Sequence, residues 1–175
     1  MYVKAEKISV VISAFIIILL GALIIWKLDV IGVSEGRLEQ AARKGQDIDS
    51  DWQMVQDING DMCVMLFYDE AKSDCRYSVY LAREGMSCGY FYVDGGVDGF
   101  MINGSRSMIY DDRGIALLSM NKDRVCRIEV ERGTEGTIEV DPEKPFALLL
   151  PANCGEITMY DTQGNLVTLY DAFVG

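Results

Sequence analysis

The run Ile8 to Trp26, ISVVISAFIIILLGALIIW, constrains this chain more than any other stretch: it holds no Asp, Glu, Lys or Arg and starts close to the N-terminus. A helix rising about 1.5 Å per residue over that length matches the roughly 30 Å hydrocarbon core of a bilayer and satisfies its own backbone groups there. The run is apolar all round, not striped at i, i+3 and i+4, which argues against a helix half-buried in a soluble core. Lys4 and Lys7 could head a secretory signal, but the apolar stretch exceeds the ~7–15 residues of a signal core, and only Val30-Ile31-Gly32 imitates a cleavage site. The expectation is an uncleaved, single-pass transmembrane helix over residues 8–26, held in the lipid bilayer behind a tail of residues 1–7.

Cations near the run do not favour the N-terminal side, since Lys4 and Lys7 stand against Lys27, Arg37, Arg43 and Lys44. A short tail followed by one span nevertheless usually leaves the larger part outside. The expected location is the cell membrane, with an extracytoplasmic C-terminal domain.

Of 16 Lys and Arg and 27 Asp and Glu, two cations (Lys4, Lys7) and one acid (Glu6) precede the run, which leaves the rest at a formal −12. Phosphate backbones and anionic lipid surfaces are both bound through cations, so this charge opposes both, and nucleic acid is excluded as an expected partner. Histidine is absent. That removes the usual general base of Ser-His-Asp and Cys-His catalysis, and the usual histidine zinc ligand. Five cysteines, Cys63, Cys75, Cys88, Cys126 and Cys154, show no C-x-x-C spacing for zinc or redox work. No enzyme activity, cofactor or metal is expected.

Residues 27–56 read as a stalk. Ser34 can cap a short helix with a narrow stripe of Leu38, Ala41 and Ala42, a Glu39–Arg43 pair, and Gly45 as the stop. That stripe either lies on the following domain or continues the membrane helix outward. Asp47, Asp49 and Asp51 begin like a calcium loop, but Trp52 replaces the turn glycine and Ile58 the closing Glu, so an acidic linker is expected.

From residue 57 to 175 the pattern is short β-rich runs broken by turn residues, and the expected fold class is all-β: an antiparallel β-sandwich. Candidate strands are 62–68, 77–82, 87–93, 99–102, 107–110, 115–120, 125–130, 137–140, 146–150, 157–160 and 166–170, enough for two sheets. Hairpin turns are expected at Asn121-Lys122-Asp123, Thr162 to Asn165 and Asp141 to Pro145. Phe146 to Leu150, FALLL, lacks alternation, so it is covered on both faces and chosen as the centre of the core. The order of membrane helix, second helical segment and β-rich domain resembles the architecture of type IV pilins and pseudopilins. Their motif is not shared: Glu6 sits between Ala5 and Lys7, outside the apolar run, where a pilin carries its Glu inside.

A hairpin centred on Lys72 sets Cys63 opposite Leu81, and a turn at Glu84 and Gly85 sets Cys88 opposite Leu81 too. Two strands apart, the two thiols are too distant for a disulfide. Cys63, Cys88 and Cys126 are expected as buried thiols, with Cys75 and Cys154 at strand ends or loops. Tyr90 and Tyr92 share a face, and the loop Asp94-Gly95-Gly96-Val97-Asp98-Gly99 adds two carboxylates. Tyr90, Tyr92, Asp94 and Asp98 therefore form the candidate ligand surface. A hydrolase would need two carboxylates among Asp94, Asp98, Asp111 and Asp112 in one cleft, about 5–10 Å apart. The expected function is a membrane-anchored, non-catalytic binding or structural interaction module. Its partner is another protein or a surface glycan; the alternatives are a cell-wall carbohydrate module and a pilin-like subunit.

Overall fold

The computed structural model describes residues 15–21, 23, 31–83, 88–132 and 136–173. Most of the 8–26 run lies outside them; of that run, residues 15–21 and 23 are helical, with exposed apolar side chains such as Phe15, Ile17 and Ile18. Among the described residues no helix is long and apolar enough to cross a membrane.

The described chain is mostly β, in three four-stranded sheets where the sequence pattern was sufficient for two. The first sheet is a meander of β1 (Gln53–Ile58), β2 (Met62–Tyr68), β3 (Cys75–Ala82) and β4 (Tyr90–Gly96), in that spatial order. A short helix, Gly99–Asn103, leads to β5 (Ser105–Tyr110) and β6 (Gly114–Ser119). These join β9 (Phe146–Leu150) and β12 (Leu169–Phe173) in a second sheet ordered β12-β5-β6-β9. The third sheet, ordered β11-β10-β7-β8, takes β7 (Val125–Val130), β8 (Thr137–Glu139), β10 (Ile157–Asp161) and β11 (Leu166–Val167). Strand pairs are antiparallel except β12 with β5, which run parallel, so the second sheet is mixed.

Side-chain alternation stacks the sheets. On β2, Met62, Val64, Leu66 and Tyr68 join the core shared with the second sheet, whereas Cys63, Met65 and Phe67 join a different cluster beneath the helix Leu38–Gln46. On β6, Ala116 and Leu118 face the first sheet, and Ile115 and Leu117 face the third. The order through the molecule is helix, first sheet, second sheet, third sheet. β2 and β6 are buried along their whole lengths because each is covered on both faces.

Several expectations change. FALLL is covered on both faces, but as β9 it ends its sheet; the fully buried centre of that sheet is β6. The N–H of Leu149 donates to the Asp57 carboxylate at 2.8 Å and so ties this end of the second sheet to the first. The boundary expected at residue 57 falls inside β1, and of the two placements left open for the stalk helix the docked one is observed: Leu38 and Ala42 are buried on the first sheet. Residues 99–102, expected as a strand, are helical, and the 166–170 run is split between two sheets. Asn121 to Asp123 is not a hairpin, because β6 and β7 lie in different sheets. It is a corner held by the buried Asn121, whose amide donates to the carbonyls of Val125 and Asp141 and whose carbonyl accepts from the Val125 N–H. Asp141 to Pro145 is likewise a crossing between sheets; Thr162 to Asn165 is the expected hairpin, joining the paired β10 and β11.

The β2–β3 register is one residue off the expectation. Met62, not Cys63, lies opposite Leu81, and Cys63 faces Tyr80. The loop of residues 69–74 is closed by the Asp69 carboxylate, which accepts from the N–H groups of Ser73 and Asp74, so pairing begins at Tyr68 and Cys75.

Candidate functional site

The tetrad Tyr90, Tyr92, Asp94 and Asp98 does not assemble into one surface, and a β-bulge is the reason. Tyr90 and Tyr92 pair with Ala82 and Tyr80, but Asp94 pairs with Val79, so Val93 is the extra residue. One inserted residue turns everything after it to the opposite face. Tyr90 and Tyr92 face the helix, with Tyr90 buried (7 % exposed) and its hydroxyl donating to the Gly60 carbonyl at 3.1 Å. Tyr92 is 51 % exposed, and its ring meets Tyr80 edge to face at 5.6 Å.

Asp94 instead accepts hydrogen bonds from the hydroxyls of Tyr77 at 3.2 Å and Tyr110 at 3.0 Å, the second of these on the neighbouring sheet. Burial pushes both phenols up from their ordinary value, and the Asp94 charge pushes the same way. This cluster fastens two sheets together. Asp98 forms an ion pair with Arg106 of β5 at 3.3 Å, and Asp111 and Asp112 lie on the β5–β6 turn. Of the carboxylates considered for hydrolysis, Asp94 is thus on a bulged strand, Asp98 in the loop after it, and Asp111 and Asp112 on a turn, and the Asp94 and Asp98 charges both act on Tyr77.

All five cysteines are free thiols. The burial pattern reverses part of the expectation: Cys75 and Cys154 are buried and Cys88 is exposed. Cys63 and Cys75 lie in different cores, and burial pushes each thiol up to about 12, so both stay protonated at neutral pH. Cys154 is shifted upward by burial as well.

The concave surface that does form lies where the sequence pointed to a stalk. The helix Leu38–Gln46 is fixed to the first sheet at its C-terminal end. Arg76 donates to the carbonyls of Gln46 and Asp47, and the Gln46 amide donates to the Tyr77 carbonyl at 2.7 Å and to the Ser78 hydroxyl. Arg43 reaches the carbonyls of Asp49 and Trp52 and pairs with Glu39. At the other end, the chain before the helix adds to the edge of β4. Val33 and Tyr90 exchange both backbone hydrogen bonds at 2.8 Å, and the Gly32 N–H donates to the Cys88 carbonyl at 2.7 Å. A Cβ at Gly32 would stand 2.5 Å from the Tyr90 carbonyl oxygen, so this close approach requires glycine.

Between this edge segment and the helix is a cleft of about 480 Å³, with Ile31, Val33, Ala41, Gln46, Tyr80 and Tyr92 in its lining. A second cleft, of about 560 Å³, adjoins the same edge segment and is lined also by Arg37, Gln40, Ala41 and Lys44. Arg37, the last residue of the short turn before the helix, and Gln40, Ala41 and Lys44 on the helix are spaced i, i+3, i+4 and i+7 and line one side of it. The sequence signal was present in the spacing of Arg37, Ala41 and Lys44, but nothing local placed it beside Ile31. Among the described residues, no group of three or more Cys, Asp or Glu side chains is arranged to hold a metal ion. No protein-family model, curated protein or solved structure matches the chain.

Proposed function

We propose that this chain is a single-pass membrane protein, anchored by residues 8–26, whose extracytoplasmic, layered β-sandwich domain serves as a non-catalytic binding or structural interaction module. The observation that carries the reading is the junction. Helical residues with exposed apolar side chains stand upstream of a domain whose first described backbone, Ile31 to Val33, is hydrogen-bonded into the edge of β4. Exposed apolar side chains such as Ile17 and Ile18 on a helix are what a bilayer core accommodates. The carboxylates, phenols and thiols that could have carried chemistry support a structural role instead, since Asp94, Asp98, Cys63 and Cys75 are engaged in holding sheets together or lie within cores. The partner is another protein or a surface glycan. For the glycan, support comes from a polar cleft of about 390 Å³ whose lining includes Asn103, Asp123, Thr168 and Tyr170.

The test is protease added to intact cells that express the full chain. Loss of the C-terminal domain from outside, with a short membrane-protected fragment, is the expected result. Full protection until lysis would put the domain in the cytoplasm and overturn the reading.

A further inference from the structure

We infer that the helix-side face of the domain, built from Ile31, Tyr92, Arg37 and Lys44, rests on the bilayer surface and binds anionic phospholipid headgroups. This rests on the proposed anchor and deepens it.

Two observations lead there. The first is tether length. Trp26 ends the apolar run and Ile31 is already fixed to β4, so the intervening chain reaches at most about 18 Å even when fully extended. With the run in the bilayer, Ile31 cannot leave the neighbourhood of the headgroups, and the edge of β4 and the helix beside it stay there too. The third sheet, two sheet layers further on at about 10 Å per layer, is held away.

The second is the chemistry of that face. Ile31 is 68 % exposed and Tyr92 51 %, an aliphatic and an amphipathic aromatic side chain of the kinds that settle at a membrane interface. The cleft beside them is lined by Arg37 and Lys44 and by no Asp or Glu. In a domain of formal charge −12, two cations lining one cleft without a lining acid make a local exception to the repulsion that the whole domain would feel. The nearest acids along the chain are Glu35, in the turn before the helix, Glu39, which pairs with Arg43, and Asp47, which lines the adjoining cleft with Glu39, Gln40 and Lys44. Juxtamembrane cations of this kind attract anionic lipid over about a Debye length. The other residues lining this side of the helix, Gln40 and Ala41, present no charge to oppose that contact.

Cys88 supplies the probe. It is exposed, and its carbonyl accepts from Gly32, so a spin label there reports on this face. The full chain carrying Cys126→Ser is labelled at Cys88 and reconstituted in nanodiscs of neutral lipid, or of neutral lipid mixed with phosphatidylglycerol. A second label is placed by Gln163→Cys on the β10–β11 turn of the third sheet, in a Cys88→Ser background. Collision rates with oxygen, which concentrates in lipid, and with a water-soluble nickel chelate then give depth. The expected result is a ratio of oxygen to nickel collisions severalfold higher at Cys88 than at Gln163→Cys. It should be larger in the anionic discs and lose that difference in the double variant Arg37→Gln, Lys44→Gln. If the chain enters discs but the two labels are equally exposed to water, the inference is overturned while the anchor stands. Equal values in neutral and anionic discs overturn the assignment of Arg37 and Lys44. A chain that does not enter discs at all, though its circular dichroism is that of a folded β protein, overturns the anchor and this inference with it.

Discussion

Leu117 and Leu118 are chain neighbours on β6 and both are fully buried, yet they belong to different cores. Adjacent strand residues point to opposite faces, so in a two-sheet arrangement one of them would meet solvent and tolerate truncation. In the three-sheet stack neither does. Losing the buried Leu side chain removes about 2 kcal/mol of transfer free energy, and the unfilled cavity brings the cost of Leu→Ala to about 3–5 kcal/mol. For a chain of this size each 1 kcal/mol moves the melting temperature by about 2–4 °C, so Leu117→Ala and Leu118→Ala should each lower it by ~6–20 °C. Urea titrations of the full chain in mild detergent, followed by far-ultraviolet circular dichroism, read the two costs directly. Comparable values for the two variants are expected. A cost under about 1 kcal/mol for Leu117→Ala beside a full cost for Leu118→Ala would mean that the third sheet does not cover β6, and the layer order would be wrong.

Asn121 combines a positive φ of 54° with side-chain bonds to Val125 and Asp141, so Asn121→Ala leaves buried backbone groups unpaired in a strained conformation. A cost of about 3 kcal/mol is expected, with a smaller one for Asn121→Gly because glycine accepts that φ; equal, near-zero costs in urea titrations would remove the corner from the account. The buried thiols make stability fall in alkali. Cys63 and Cys75 titrate near 9.0 when unfolded but only near 12 when folded, so their stabilising contribution is intact below pH 9 and is lost as pH rises from 9 toward 12. The slope is about 1.4 kcal/mol per pH unit for each thiol, with Tyr77 and Tyr110 adding to it above pH 10. Urea midpoints that stay constant from pH 8 to about 10.5 would contradict this burial, as would rapid modification of Cys63 or Cys75 by a thiol reagent in the native protein.

Local composition determined much of the β architecture. Met62–Tyr68, Val125–Val130 and Phe146–Leu150 were legible residue for residue, because a run of apolar and β-branched side chains between turn residues has few other uses. The absence of histidine and the acidic balance were likewise complete in the sequence. β1 was not legible, since QMVQDI, with its exposed and half-buried positions, resembles the linker it follows. Nor was the candidate surface: the bulge at Val93 that sends Tyr92 and Asp94 to opposite faces is set by pairing with β3, and no local signal marks it.

What the sequence by itself determined is which residues alternate and which must be covered. Only the tertiary structure decided what covers them. It assigned Leu117 to one sheet and Leu118 to another, and it brought Ile31 beside Arg37 and Lys44. It also buried Cys75 and left Cys88 exposed. The physical reason is range: alternation is a property of consecutive backbone dihedrals, whereas each covering contact joins residues that only the closure of the whole chain places together.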